Sequence, residues 1–282
     1  MHWMNRLVAL LALTCATLAP AATVSDGQRR LMDLAYGNDP RQRIDVYLPA
    51  APQGAPMLLL VHGGAWMFGN RRLPTLVDAK VAHWVDERGF IVVSAGYRMV
   101  PQVDPLTQAR DIAQALALAQ SRAASWGGDA GRVVLVGHSA GAHLVALLSA
   151  DPALAVAQGA RPWRGTVVLD SAAIDTESVM TRPHMPFYDR VFGSDPATWR
   201  AASPTAALTK AAMPTLVVCS TLRRDGSCVQ SQIFVDRARA LGAASTLLPQ
   251  DLDHEGVNAA LGPPSAYTRA VDAFIDAVTT KP

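Results

Sequence analysis

The residues of this 282-residue chain whose types and spacing most directly imply chemistry are Gly137-His138-Ser139-Ala140-Gly141. They follow the apolar run Val133 to Val136 and precede a helical pattern from Ala140 to Ala150. A serine at a tight strand-to-helix turn is held in a strained backbone conformation that lifts its hydroxyl above the sheet edge. The flanking glycines spare the neighbouring strand and helix a collision with side chains. The helix N-terminus behind the serine offers free N–H groups to developing negative charge. The chemistry implied is nucleophilic attack by Ser139 on an acyl carbon. A second glycine-bearing turn, His62-Gly63-Gly64-Ala65-Trp66, closes the apolar run Met57 to Val61. Its backbone can approach a substrate closely and donate N–H groups to an oxyanion, each such donor lowering the barrier by about 3 kcal/mol.

A serine nucleophile needs a base, and the base needs a group to orient it. His254, in Asp251-Leu252-Asp253-His254-Glu255-Gly256, follows the last apolar strand pattern and precedes the final helix. His83 falls on a helical pattern, His138 and His143 belong to the serine turn and its helix, His62 belongs to the glycine loop, and His184 lies in the segment between Ser171 and Met213 expected to form a lid. That leaves His254 as the base. Asp225, in Thr221-Leu222-Arg223-Arg224-Asp225-Gly226, is the expected orienting acid, and Asp170, at the end of the preceding strand pattern, is its rival. Asp251 and Asp253 lie too close to His254 in sequence to reach its ring and are expected to be solvated.

The elements that must position these residues alternate. Arg43 to Leu48 reads as a half-buried strand. Met57 to Val61, Ile91 to Ala95, Val133 to Val136, Thr166 to Leu169, Thr215 to Cys219 and Ser245 to Leu248 read as further strands, several of them apolar on both faces. Helical patterns cover Leu76 to Glu87, Thr107 to Ala124, Ala140 to Ala150, Val229 to Leu241 and Tyr267 to Val278. Such alternation predicts an α/β fold: a mostly parallel central sheet with helices on both faces. Some forty residues between Ser171 and Met213, rich in Pro, Met and aromatics, interrupt it. This insertion after the strand ending near Asp170 is expected to form a small partial lid, the alternative being a plain surface excursion with one short helix near Phe187 to Phe192.

Composition narrows the remaining choices. Half of the residues are hydrophobic and 17% charged, which excludes a largely disordered chain. A formal net charge of +2 gives no basic stripe for nucleic acid. No apolar run reaches the roughly 20 residues that span a bilayer. Residues 1–22 carry Arg6, an apolar stretch from Leu7 to Leu18 and the small-residue pattern Ala19-Pro20-Ala21, the signature of a secretory signal peptide. The expectation is a single domain over residues 23–282, secreted or periplasmic. Cys219 and Cys228 are then the cysteines left in an oxidising compartment, and a disulfide between them is expected to tie the loop that carries Asp225.

These motifs resemble the α/β-hydrolase superfamily, in its esterase branch with a His-Gly-Gly-x-Trp loop. That branch includes hormone-sensitive-lipase-like carboxylesterases, feruloyl and acetyl-xylan esterases, and kynurenine formamidases. Gly96-Tyr97-Arg98-Met99-Val100-Pro101, with Asp111 downstream, is similar to a Tyr-Arg-Leu-x-Pro stretch of the same group, and the run Gly137 to Leu144 is similar to its feruloyl esterase and formamidase members. The resemblance covers roughly residues 40 to 280. It implies Ser139 as nucleophile, His254 as general base and Asp225 as its partner, in the chain order Ser, Asp, His. It implies oxyanion donors on the N–H groups of Gly64, Ala65 and Ala140. It also implies a serine carboxylesterase for small or aryl esters, with a small-molecule ester as partner and neither metal nor cofactor. Ala65 stands where the group usually has a third glycine, and only some 20 residues separate residue 22 from the first strand pattern, which argues against a large N-terminal cap and long acyl chains. The alternatives are an arylformamidase-like amidase and a hydrolase fold used only for binding. The oligomeric state is left open.

Overall fold

The computed structural model describes residues 29–280, so the signal-peptide expectation lies outside the described residues. Eight strands form one sheet: β1 (Arg30–Ala35), β2 (Arg43–Tyr47), β3 (Ala55–Val61), β4 (Ile91–Ala95), β5 (Gly128–His138), β6 (Gly165–Leu169), β7 (Thr215–Ser220) and β8 (Ser245–Gln250). Their spatial order is β1-β2-β4-β3-β5-β6-β7-β8. β1 and β2 pair antiparallel, as do β2 and β4, and every pairing from β4 through β3 to β8 is parallel. This is the mostly parallel sheet expected from the alternation of patterns, in the α/β-hydrolase arrangement that the resemblance implies.

The apolar runs are continuous because both faces of the sheet are covered. Met57, Leu59 and Val61 of β3 pack with Ile91, Val93, Val133 and Leu135 against the helices Pro105–Arg122 and Ala140–Ala150. Leu58 and Leu60 turn the other way, with Val92, Val134 and Val136, toward Trp84, Val271 and Ile275. The helix Ala140–Ala150 is buried at every position, between the sheet and its neighbours.

Three elements differ from the sequence reading. β1 adds an antiparallel edge strand that periodicity does not reveal, because it is mostly exposed and a register shift between Leu31 and Leu34 breaks its alternation. The pattern from Leu76 to Glu87 begins as an α-helix, Pro74–Lys80, and continues with π-type winding over Val81–Glu87. The insertion holds four short helices rather than one: Thr176–Met180, Phe187–Phe192, Pro196–Ala201 and Pro204–Ala207. Asp175 and Asp195 cap two of them. No helix among the described residues is long and apolar enough to cross a membrane.

Candidate active site

Parallel strands deliver their C-terminal ends to one edge, and the chemistry-bearing residues gather there. Ser139 leaves β5 with φ 56° and ψ −118°, left-handed geometry that a non-glycine residue adopts at a cost. The glycines around it permit the turn. A Cβ on Gly137 would lie 2.4 Å from the Gly141 carbonyl oxygen, and one on Gly141 would lie 2.3 Å from the Val61 oxygen. The helix Ala140–Ala150 therefore starts hard against the end of β3. The Ala140 N–H opens this helix and has no acceptor within it.

His254 begins the helix His254–Ala259, which Asp253 caps by accepting from the Gly256 N–H at 2.7 Å. Asp253 is exposed to solvent, as expected, and also serves as this cap. The His254 ring lies between two groups: Nε2 is 2.9 Å from Ser139 Oγ and Nδ1 is 2.6 Å from Asp170 Oδ2. With Nδ1–H donating to the carboxylate, Nε2 is free to accept the serine proton. His138 braces the arrangement. Its ring lies 4.7 Å from that of His254, and its Nε2 donates to the His254 carbonyl at 3.0 Å. Burial, and then the neighbouring His254, push the His138 ring down to about 3, so it stays uncharged.

Asp225 does not reach His254, and the structure corrects its assignment. Its carboxylate is about a third exposed and grips the guanidinium of Arg223, Oδ1 at 3.0 Å from Nε and Oδ2 against Nη2. Asp170 takes the position beside the ring, because β6 pairs directly with β5 and ends next to the serine turn. Asp170 has φ 51°, and its fully buried carboxylate accepts from the Ser220 N–H and Ser227 Oγ, each at 2.9 Å, as well as from His254 and Arg223. Burial alone would raise this carboxyl. The hydrogen bonds from His254 and Ser220 and the Arg223 cation outweigh it and hold the group well below the usual carboxylate range. One signal for Asp170 was present in the sequence: a carboxylate directly after an apolar strand and with no basic neighbour in sequence, whereas Asp225 follows two arginines.

The glycine loop faces the serine. Gly64 and Ser139 line a common cavity of about 150 Å³ together with His62, Gly63, His138 and Glu255. Gly64 has φ 120°, and a Cβ there would meet the Phe68 oxygen at 2.2 Å. Ala65 and Trp66 also have positive φ, 50° and 61°. The Gly64 carbonyl accepts from Met67 and Phe68, so the turn is closed through that oxygen and not through the N–H groups of Gly64 or Ala65. His62 stacks on Tyr97 at 4.4 Å, and Tyr97 donates its hydroxyl to the His62 carbonyl at 2.9 Å. Burial pushes the His62 ring down to about 4. Trp66 donates to His143 Nδ1 at 3.2 Å, and His143 Nε2 donates to Ala202 O at 2.7 Å. That pair joins the glycine loop to the insertion, where Phe192 lies 5.1 Å from Trp66. Arg98 forks onto the buried Asp111 at 2.9 and 2.6 Å, which explains the pairing of these two residues in the sequence. Cys219 and Cys228 form the expected disulfide, with Cα atoms 5.1 Å apart, and so close the loop that holds Arg223 and Asp225.

The strand order and the serine turn define an α/β-hydrolase fold, and the chain is similar to proteins named as esterases. Residues 44–158 match the BD-FAE family model. Esterase LipC of Mycobacterium tuberculosis is 30% identical over 227 residues, which are 73% of this chain and 54% of that protein. An isoprenylcysteine alpha-carbonyl methylesterase of Arabidopsis thaliana is 33% identical over 153 residues, 51% of this chain and 34% of that protein. The chain thus spans about a third to a half of the length of these relatives. Among solved structures, a truncated carbohydrate esterase from gut microbiota superposes with a TM-score of 0.77 at 18% identity, covering 93% of this chain and 99% of that one. Esterase B from Lactobacillus Rhamnosis gives 0.71 at 22% identity, covering 89% and 86%.

Proposed function

We propose that the protein is a serine carboxylesterase that hydrolyses small or aryl esters through an acyl-enzyme, with Ser139, His254 and Asp170 as its triad. The observation that carries this reading is the hydrogen-bonded chain from Ser139 Oγ through His254 to the buried Asp170, with links of 2.9 and 2.6 Å. Ser139 Oγ attacks the ester carbon while its proton passes to His254 Nε2. The carbonyl oxygen becomes an oxyanion held by the N–H groups of Gly64, Ala65 and Ala140. Collapse of this intermediate breaks the C–O bond, and the leaving alkoxide takes the proton from Nε2. Water then attacks the acyl-serine, giving one proton to Nε2, and Ser139 departs with that proton as the acid is released. Asp170 keeps the ring in the tautomer each step requires and stabilises the transient imidazolium.

The preference for small acyl groups is supported by the narrow cavity of about 150 Å³ beside Ser139. A second cavity of about 760 Å³, walled by Val179, Met185, Pro186 and Tyr188 of the insertion and by Asp225, offers an apolar surface suited to an aryl group. The disulfide suits a secreted or periplasmic protein.

The test is hydrolysis of a p-nitrophenyl ester series together with labelling by a fluorophosphonate. Wild-type protein should turn over acetate faster than dodecanoate and be labelled at Ser139. Ser139→Ala should lose at least about 10³-fold in kcat and all labelling while remaining folded. Turnover of Ser139→Ala at a tenth of the wild-type rate would exclude the serine mechanism. An aryl formamide cleaved faster than any ester would move the assignment to an amidase.

A further inference from the structure

The cation behind the triad has no part in the mechanism above. Arg223 Nη1 lies 2.7 Å from His254 Nδ1, 2.9 Å from Asp170 Oδ2 and 3.3 Å from Asp170 O. Its Nε and Nη2 are held by Asp225. The guanidinium is therefore clamped between two carboxylates, one buried under the histidine and one at the wall of the cavity under the insertion. Nδ1 of His254 cannot both donate to Asp170 and accept from Arg223. Only the first arrangement leaves Nε2 free for the serine proton. When that proton arrives, the ring becomes a cation facing another cation at hydrogen-bonding distance.

The geometry points to Arg223 and Asp225 as a pair of positioning residues that set the proton affinity of His254: Arg223 fixes Asp170 and opposes charge on the ring, and Asp225 offsets that opposition. This inference rests on the triad reading above. The other groups facing the ring do not duplicate the effect. Ser139 is neutral, and His138 stays uncharged because it is buried. Asp253 is engaged as the helix cap, and Glu255 lies on the cleft side with Ser139. Lys80, whose electrostatic influence reaches His138, donates to the Thr75 and Asn258 carbonyls at 3.2 and 2.8 Å. Arg223 is the cation within hydrogen-bond reach of Nδ1, and Asp225 is its counter-ion on the side away from the triad.

Two charge removals should then act in opposite directions. Arg223→Gln should move the midpoint of His254 titration up by about 1 pH unit, the size expected for losing a like charge this close. The acid limb of kcat/KM should shift with it, so activity well below the wild-type midpoint falls about tenfold further than wild type. Asp225→Asn leaves the Arg223 charge less balanced and should move the midpoint down by about half a unit. Arg223→Lys, which keeps the charge, should lie closer to wild type than Arg223→Gln does. The direct measurement is the titration of the His254 imidazole in ¹⁵N-histidine-labelled protein by NMR, assigned with His254→Gln and run without substrate. Because this readout needs no turnover, a protein that hydrolyses no ester yet shows the opposed shifts would overturn the proposed function and leave the clamp standing. Midpoints within about 0.2 unit of wild type in both variants, or shifts in the same direction, would overturn the clamp. If Arg223→Gln fails to fold, Asp225→Asn at its partly exposed position decides: a downward shift supports the clamp, and no shift or an upward one rejects it.

Discussion

Replacing Asp170 by asparagine is the sharpest test of where the triad ends, because this carboxylate is met by donors on both oxygens. Oδ2 accepts from His254 Nδ1 and Arg223, and Oδ1 from the Ser220 N–H and the Ser227 hydroxyl. An asparagine must turn its NH2 toward one of these pairs. Facing His254, it forces Nδ1 to accept, which moves the ring proton to Nε2 and removes the base from Ser139. Facing Ser220, it sets two N–H donors against each other at a cost of about 1–3 kcal/mol and leaves only a neutral acceptor for the imidazolium. Either way kcat should fall by roughly 10³ to 10⁴, equivalent to about 4–5.5 kcal/mol of transition-state stabilisation. Losing the buried ion pair with Arg223 should also lower stability, by up to about 3–5 kcal/mol. The assay is kcat/KM for p-nitrophenyl acetate at the alkaline plateau, at a temperature where a thermal melt shows both variants folded. Asp225→Asn, measured alongside, should lose less than about tenfold on that plateau, since its carboxylate acts on the histidine only through Arg223. A loss of about 10³ in Asp225→Asn beside less than tenfold in Asp170→Asn would refute the assignment.

Three further outcomes follow from the packing around the site. Burial pushes the Lys80 ammonium down to about 7, so between there and the unfolded value near 10.4 the unfolded chain holds a proton that the folded one has released. Stability should therefore rise with pH across that window, by up to about 1.4 kcal/mol per unit relative to Lys80→Met, and parallel denaturation curves for the two proteins would contradict it. Removing the disulfide as the Cys219→Ser, Cys228→Ser double variant frees a loop of sequence separation 9 and should cost roughly 2.5–3 kcal/mol in urea denaturation, with no change indicating that the loop closure is immaterial. Gly141→Ala places a Cβ 2.3 Å from the Val61 oxygen and 2.5 Å from the His62 oxygen, so melting temperature and esterase activity should fall together; an unchanged variant would show that the turn can open without cost.

Much of the architecture was legible because its signals are local. The buried strands announce themselves as apolar runs, and the serine turn as two glycines that a Cβ would drive into the backbone of Gly141 and Val61. The helix Ala140–Ala150 occurs over the residues its pattern predicts. β1 escaped because an exposed edge strand with a register shift has neither alternation nor a continuous apolar run. The four short helices of the insertion escaped for a related reason. None exceeds six residues, too few turns for periodicity to show, and they are held by Asp175 and Asp195 caps and by packing on Trp66.

The identity of the acid lies at the limit of such reading. Sequence order places an aspartate after β6 and another after β7, and in a parallel sheet both strand ends arrive at the same edge within reach of the loop that bears His254. What separates them is the partner each finds. Asp225 is followed by Gly226 with φ 77° and preceded by two arginines, one of which folds back to claim it. Asp170 turns inward and is desolvated, and a buried carboxylate is tolerable only when donors surround it. Those donors are His254, the Ser220 N–H, Ser227 and Arg223. They lie between 50 and 84 residues away along the chain and converge only in the folded state. The same arginine that takes Asp225 out of reach of the histidine supplies part of the charge that keeps Asp170 ionised. One long-range contact thereby separates the two aspartates: it holds Asp225 away from His254 and sets a cation beside Asp170 and the imidazole.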